Sequence, residues 1–304
     1  MKILLLGAKG QVGWELARFL PTLGDVLALD QEECDFADLE SVRRTIHDAS
    51  PDVLVNAAAY TAVDRAESQQ ELARQVNAYA PAVMADAIRG TNSLLVHYST
   101  DYVFDGTKPG PYTEKDHPNP INVYGKTKLE GELAIQESGA AHLIFRTSWV
   151  YGARGSNFLL TMLRLFDQRP ELRIVTDQIG APTWSRWLAK QTVEAVRIRL
   201  LHMGEQAGSE WNGVYHMTAG GSTSWHDFAS AIRERRYGKA AEQAPRLIPI
   251  ASVEYPTPAK RPLNSVLSNA RLESRFGLVQ ADWATLLTEC MADLSDSRAA
   301  VKQR

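Results

Sequence analysis

Lys2-Ile3-Leu4-Leu5-Leu6-Gly7-Ala8-Lys9-Gly10-Gln11-Val12-Gly13 opens with a short apolar run that stops at a glycine. Beyond it Trp14, Leu16, Ala17 and Leu20 recur at helical spacing, so the stretch reads as strand, glycine turn, helix. Glycine suits a backbone that takes positive φ or approaches a ligand closely, and the helix start beyond it offers free N–H groups to a pyrophosphate. The spacing is Gly-x-x-Gly-x-x-Gly rather than the Gly-x-Gly-x-x-Gly dinucleotide fingerprint, so taken alone it also fits a tight strand-to-helix turn.

The pattern then repeats. Val26 to Leu29 reads as a second strand ending in Asp30, twenty residues beyond Gly10, where a dinucleotide fold places the acid that holds an adenosine ribose. That acid favours NADH, whereas Lys9 inside the turn offers a charge to the 2′-phosphate of NADPH, so both cofactors stay open. Asp35-Phe36 is an acid and an aromatic suited to an adenine edge and face, or equally a surface turn. Asp52 to Asn56 is the third strand, and the small residues Ala57, Ala58 and Ala59 leave room over the backbone for a flat ligand, with the nicotinamide ribose expected near Ala59, Tyr60 and Thr61. Glu71 to Arg89 reads as a helix with Val76, Ala80, Val83 and Ala87 on one face and Asn77 as its polar exception. Leu94 to Tyr98 is the fourth strand, delivering Ser99-Thr100-Asp101 to the same edge. Four alternations of strand and helix specify an α/β fold, a Rossmann-type doubly wound parallel sheet with its site at the carboxyl edge.

After a loop rich in glycine and proline comes Tyr124-Gly125-Lys126-Thr127-Lys128. Tyr124 and Lys128 are four apart, so on a helix they share a face. Their free pKa values lie near ~10 and ~10.4, and a neighbouring cation is expected to lower the phenol's, making an acid that protonates a ketone oxygen. Alone, this spacing also describes an exposed helix face.

The 304 residues, 44% hydrophobic and 23% charged, are those of an ordinary globular chain. A formal net charge of −3 gives no sign of nucleic acid or an anionic membrane as partner. Cys34 and Cys290 stand far apart, which suggests a reducing compartment, and no signal or membrane segment is read at the start, so a cytoplasmic location is expected. The seven histidines show no metal spacing, and no catalytic metal is expected.

Gly7-x-x-Gly10-x-x-Gly13, Asp30, Asn56-Ala-Ala-Ala59, Ser99-Thr100-Asp101 and Tyr124-x-x-x-Lys128, in this order, resemble the extended short-chain dehydrogenase/reductase superfamily. Within it His97-Tyr-Ser-Thr-Asp-Tyr-Val-Phe104, Arg146-Thr-Ser-Trp-Val-Tyr151, Asp177-Gln-Ile-Gly-Ala-Pro-Thr183 and Arg261-Pro-Leu-Asn-Ser265 are similar to the dTDP-4-dehydrorhamnose reductase family, over essentially the whole chain. That resemblance implies NADPH or NADH held by Gly10, Gln11, Val12, Asp30, Asp35, Phe36, Ala59, Tyr60, Thr61, Tyr98, Tyr124 and Lys128. It implies a nucleotide sugar, dTDP-4-dehydro-L-rhamnose, bound by Thr100, Asp101 and Trp149. Tyr124, Lys128 and Thr100 would be catalytic, and the product would feed dTDP-rhamnose and lipopolysaccharide biosynthesis. A homodimer, and a divalent ion such as Mg2+ on surface carboxylates like Glu15, are left open.

Residues 1–150 are expected to form the dinucleotide-binding domain, with a return segment around 185–217, and 151–304 mostly a smaller, interleaved sugar-nucleotide domain. Helices are expected from Asn157 through Phe166 and from about Ser185 to His202, strands over Leu172 to Val175 and Gly213 to Met217, and a loose polar tail over Ser295 to Arg304. Asn157 and Arg261 are candidates for nucleotide or diphosphate; Trp184 and Trp187 line a pocket or pack in the core. Two rivals share the fold's chemistry: a 4,6-dehydratase needs a second carboxylate where this chain has Tyr102, and a 4-epimerase retains its NAD. A third is a non-catalytic regulatory subunit, like that of methionine adenosyltransferase, for which Thr100, Tyr124 and Lys128 have no chemical use.

Overall fold

The first strand, β1 (Lys2–Leu6), has almost no polar side, because helices cover the sheet on both faces. Ile3 and Leu5 point into one apolar cluster and Leu4 and Leu6 into another, each 0–2% exposed. A strand's side-chain period of two thus becomes two cores, and an unbroken apolar run marks a strand buried on both sides. Each such side chain contributes roughly 1.5–3 kcal/mol.

The structure is a computed structural model describing residues 1–203 and 208–302. After β1 come α1 (Gln11–Phe19), β2 (Asp25–Leu29), α2 (Leu39–Ala49), β3 (Val53–Asn56), α3 (Val63–Ala66), α4 (Gln70–Arg74), α5 (Ala80–Ile88), β4 (Leu94–Thr100), α6 (Val123–Glu137) and β5 (Ala141–Thr147). The second half holds β6 (Val150–Tyr151), α7 (Phe158–Phe166), β7 (Glu171–Val175), β8 (Ile179–Gly180), β9 (Thr183–Trp184) and α8 (Ser185–Leu201). Then follow β10 (Gly213–His216), β11 (Thr223–Ser224), α9 (Trp225–Tyr237), β12 (Arg246–Ile250), α10 (Ala270–Phe276) and α11 (Trp283–Lys302).

Among the described residues the main sheet has six strands in the order β10-β5-β4-β3-β1-β2, all parallel. The strand order reverses between β1 and β3, which opens a crevice at their carboxyl ends. Chain from the second half completes this sheet: β10 pairs with β5 as the edge strand, and α8 packs on α1. The face with Ile3 and Leu5 is covered by Leu16 and Leu20 of the α1 region and Leu188 and Val196 of α8. The other is covered by Val42 and Ile46 of α2, Met84 and Ile88 of α5, and Ile135 of α6. The small pairs β7–β12, β6–β9 and β8–β11 lie outside it.

Several expectations need correction. β4 does not stop at Tyr98: the ladder continues through Ser99↔Arg146 and Thr100↔Thr147, so Thr100 is fixed by pairing rather than left on a loop. The helix expected over Glu71 to Arg89 is interrupted by a π turn at Gln75–Tyr79, and a turn of that kind lets one residue project out of helical register. Trp14 is not on the buried face of α1; it is 37% exposed and carries the Arg154 guanidinium on its ring, 3.6 Å from the centroid. Trp184 and Trp187 belong to the core. The expected loose tail is helical through α11, anchored upstream by buried Leu286, Leu287 and Cys290, while residues 303 and 304 lie outside the described residues.

Candidate active site

Gly7 has φ +85°, and a Cβ there would lie 2.7 Å from the Ala58 backbone nitrogen, so the turn after β1 admits no side chain. At Gly13 a Cβ would meet the Gly7 carbonyl oxygen at 2.0 Å, and it is this contact that lets α1 sit close against the turn. Gly10 caps α1 without a side chain, leaving the helix start open to an anion.

A cavity of about 740 Å³ runs from this turn along the sheet's carboxyl edge. It is lined by every residue expected at the dinucleotide: Gly10, Gln11, Val12, Asp30, Asp35, Phe36, Ala59, Tyr60, Thr61, Tyr98, Tyr124 and Lys128. Lined by both the glycine turn at the start of α1 and the Tyr124–Lys128 side of α6, it fits a dinucleotide. At its outer end Lys9 is not free: its ammonium pairs with Asp30 and with Glu32, and the Asp30 backbone N–H donates to Glu33 Oε2 (3.0 Å). The Lys9 hydrogen bond holds the Asp30 carboxyl below its usual range, and Asp30 raises the Lys9 pKa in return.

At the inner end β4 delivers Tyr98, Ser99 and Thr100 opposite α6. The Thr100 hydroxyl donates to Asp101 Oδ1 (3.0 Å) and accepts from the Tyr102 N–H (3.1 Å), and it lies within hydrogen-bond reach of the Tyr124 phenol. The expected lowering of the phenol's pKa is not found. Burial pushes Tyr124 up to about 12, with the Thr100 hydrogen bond opposing and the Asp101 charge adding to the rise. The reason is where the lysine points. Lys128, 1% exposed, donates to the Tyr98 carbonyl (2.6 Å) and meets His97 Nε2 at 3.1 Å, while burial lowers its pKa to about 8 against the pull of Glu132. Burial likewise raises Asp101 to about 7. Ser265 lies near enough to oppose that shift, but its hydroxyl is directed to Ile179 O (3.3 Å), and among the described residues Asp101 Oδ2 takes no well-formed hydrogen bond.

The polar exception on the long helix has a definite task. The π turn aims Asn77 inward, where Oδ1 accepts from the Tyr60 N–H (2.9 Å) and Nδ2 donates to Tyr60 O (3.1 Å) and Thr127 Oγ1 (3.2 Å). Thr127 in turn donates to the Tyr124 carbonyl (3.0 Å), so one buried asparagine ties the loop after β3 to the first turn of α6. Gly125 fixes the same turn from the other side, since a Cβ there would fall 2.1 Å from the Tyr102 carbonyl oxygen. Gly125→Ala must displace backbone, at a cost of about 1–3 kcal/mol. A misplacement of ~1 Å in a reacting group typically lowers turnover by roughly 100-fold. Turnover should therefore fall at least ~10-fold in this variant, well beyond any change in dinucleotide affinity measured by nicotinamide fluorescence.

Of the residues expected at the sugar, Thr100 and Asp101 are 5% and 3% exposed beside Tyr124. Trp149 stands apart: it takes φ +47°, unusual for a bulky residue, stacks on Trp225 with centroids 3.5 Å apart, and packs over Gly180, where no Cβ fits. Asn157 is a helix cap, accepting from the Leu160 N–H (3.1 Å) and donating to Gln11 Oε1 (2.9 Å), which joins the second half to the glycine turn. Arg261 is paired with Asp64 (2.9 Å). Glu15 is no surface carboxylate: it is 4% exposed and its Oε2 is engaged by Arg18 and Arg186 (both 3.1 Å).

Sequence reasoning passed over Ser99, Thr147, Val150, Gly155 and Ser156, which also line the cavity. Among the described residues the buried Ser99 and Thr147 hydroxyls find no partner, a state that a polar ligand would relieve. Their position at the ends of β4 and β5 was the available signal. His97 and Asn56 enter the sequence only as parts of motifs, and nothing in spacing reveals that His97 reaches Lys128 and Asn56 reaches His97.

The sequence profile of the RmlD substrate binding domain matches residues 1–296. A dTDP-4-dehydrorhamnose reductase of Burkholderia thailandensis is 52% identical over 297 residues, 97% of this chain and 99% of that protein. Among solved structures, a dTDP-4-dehydrorhamnose reductase from Clostridium acetobutylicum superposes with a TM-score of 0.87 at 37% identity, covering 97% of this chain and 100% of the other. The Bacillus anthracis dTDP-4-dehydrorhamnose reductase in complex with NADP gives 0.84 at 33% identity, over 96% and 99% of the two chains.

Proposed function

The chain belongs to the RmlD substrate binding domain family, the dTDP-4-dehydrorhamnose reductases, and from that premise we propose that it reduces the C4 ketone of dTDP-4-dehydro-β-L-rhamnose to dTDP-β-L-rhamnose. It is an oxidoreductase. The observation that carries the finer reading is the meeting of Thr100 with Tyr124, with Lys128 lining the same cavity one helical turn on.

When bound, NADH or NADPH supplies the hydride that reaches the sugar's C4. The chain's own residues do the rest. Gly10, Gln11 and Val12 receive the pyrophosphate at the start of α1, and Ala59, Tyr60 and Thr61 position the nicotinamide ribose over β3. The Tyr124 O–H gives its proton to the carbonyl oxygen, with the Thr100 hydroxyl beside it. A phenol at about 12 is fully protonated at neutral pH, so the acid is loaded before each turnover. Lys128 binds the ribose hydroxyls and returns a proton to Tyr124. Asp101 and Trp149 hold the sugar.

Residues 1–150, with 185–217, act as the dinucleotide domain in this reading, and most of 151–304 holds the sugar nucleotide. A cytoplasmic setting, the last step of dTDP-rhamnose synthesis and supply to lipopolysaccharide belong to the same proposal. Among the described residues no helix is long and apolar enough to cross a membrane.

Loss of reduced-nicotinamide absorbance that requires dTDP-4-dehydro-L-rhamnose is the expected result. No oxidation, with the cofactor shown to bind, would overturn the assignment. The acids around Lys9 predict the cofactor ranking as well: with Asp30, Glu32 and Glu33 at the ribose end, NADH should be used at least as well as NADPH. Lys9→Ala should weaken NADPH more than NADH, by up to ~5-fold in KM, since an exposed ammonium is well screened.

A further inference from the structure

Lys128 meets a histidine whose proton has only one place to sit. The Ala58 backbone N–H donates to Asn56 Oδ1 (3.1 Å), and a backbone N–H can only donate, so the side of Asn56 facing it must be the oxygen. That leaves the Asn56 NH2 facing His97 Nδ1 at 3.0 Å. Nδ1 must then be the acceptor, and a neutral imidazole with a bare Nδ1 carries its hydrogen on Nε2. Nε2 is the atom 3.1 Å from Lys128 Nζ. His97 is 1% and Asn56 1% exposed, so water cannot substitute for either partner, and burial together with the Lys128 charge keeps the imidazole neutral.

We propose that His97 is a positioning residue for Lys128: held by Asn56 as the Nε2–H tautomer, it presents a donor to the lysine and thereby favours the uncharged amine, setting the pH at which Lys128 takes up its proton. The inference rests on Lys128 acting in the reductase chemistry, but the tautomer can be read without any turnover. A hydrogen-bond donor facing an ammonium is repulsive, whereas the neutral amine has a lone pair to accept it. The Tyr98 carbonyl (2.6 Å) is served by either form of the lysine. Among the described residues the ionisable groups around Lys128 are His97 from β4 and, on its own helix α6, Tyr124 one turn before it and Glu132 one turn beyond. Arg146 of β5 is held by Glu132, and Asp101 faces Thr100 and Tyr124. Glu132 alone pulls the lysine toward charge, so the His97 dipole and burial act against it. The chain Ala58–Asn56–His97–Lys128 also links the lysine to the backbone on the floor of the cofactor cavity.

The isosteric change Asn56→Asp tests this. Its carboxylate still accepts from Ala58 N–H but can no longer donate to Nδ1, so the imidazole must turn to the Nδ1–H form and show Lys128 an acceptor. Long-range 15N–1H spectra of the imidazoles, with the His97 signal assigned from its absence in His97→Gln, should report Nε2–H in the wild-type protein and Nδ1–H in Asn56→Asp. The alkaline limb of kcat/KM should then move up by about one pH unit in Asn56→Asp. An Nδ1–H signal in the wild-type protein overturns the proposal and requires no variant to fold. So does a flipped tautomer with an unmoved alkaline limb. A protein that shows the Nε2–H form yet oxidises no cofactor with the sugar would instead count against the reductase assignment alone.

Discussion

Tyr124→Phe should lower turnover by about 10²- to 10⁴-fold, the range spanned by removal of a positioned general acid, while dinucleotide affinity stays within a few-fold of wild type. The half-buried phenol faces Thr100 and the cavity, so the variant loses one hydroxyl and keeps the ring's packing on Tyr102. Two measurements check it: single-turnover oxidation of the reduced cofactor with sugar, and fluorescence titration of the cofactor without it. Turnover near wild type would remove Tyr124 from the chemistry. The pH dependence should follow Lys128 rather than Tyr124. At about 12 the phenol does not titrate in the accessible range, so the alkaline fall in kcat/KM is expected near pH 8, where Lys128 loses its proton. In Thr100→Val the phenol loses its one opposing hydrogen bond and its pKa rises further, so a smaller loss of turnover is expected with the same Lys128-governed limb.

What the sequence disclosed, it disclosed through local rules. An apolar run ending in Gly7, repeated strand–helix alternation and an acid twenty residues past Gly10 each follow from the steric demands of one turn or one strand, and together they gave the sheet and the cavity's lining. Tyr124 and Lys128 were legible because helical spacing alone puts them on one face. Their electrostatics were not. The expected cation beside the phenol depended on where the ammonium goes, and that is decided by Tyr98 O and His97 on another strand. The role of Asn77 turned on a π turn that no periodicity announces, and that of Glu15 on two arginines, one of them 171 residues away. The edge strand β10 was visible as a strand, but its pairing with β5 was not, because nothing in a short apolar run says which neighbour it will take.

The buried pair beneath α6 should be the chain's most sensitive point for stability. Glu132, 0% exposed and one turn beyond Lys128 on α6, accepts from Arg146 Nε (2.9 Å) and Nη2 (2.6 Å), fixing α6 to β5 where β5 runs beside Ser99. Arg146 is 3% exposed, its guanidinium lies over the Phe104 ring, and its Nη1 finds no partner among the described residues. Glu132→Ala therefore strands a guanidinium in the core, a change that typically costs about 3–5 kcal/mol, or a fall in Tm on the order of 10 °C. Replacing both residues should behave differently. In Glu132→Leu with Arg146→Met no charge is left unpaired, and much of the lost stability should return, because the intact pair is itself offset by the cost of desolvating two ions. Differential scanning calorimetry on the wild type, Glu132→Leu, Arg146→Met and the double completes the cycle. A Glu132→Ala protein within about 1 kcal/mol of wild type would mean that water reaches Arg146. The double variant separates stability from function: with the Glu132 charge gone, the pull toward a charged Lys128 goes with it, so the alkaline limb should move down even where the fold is restored.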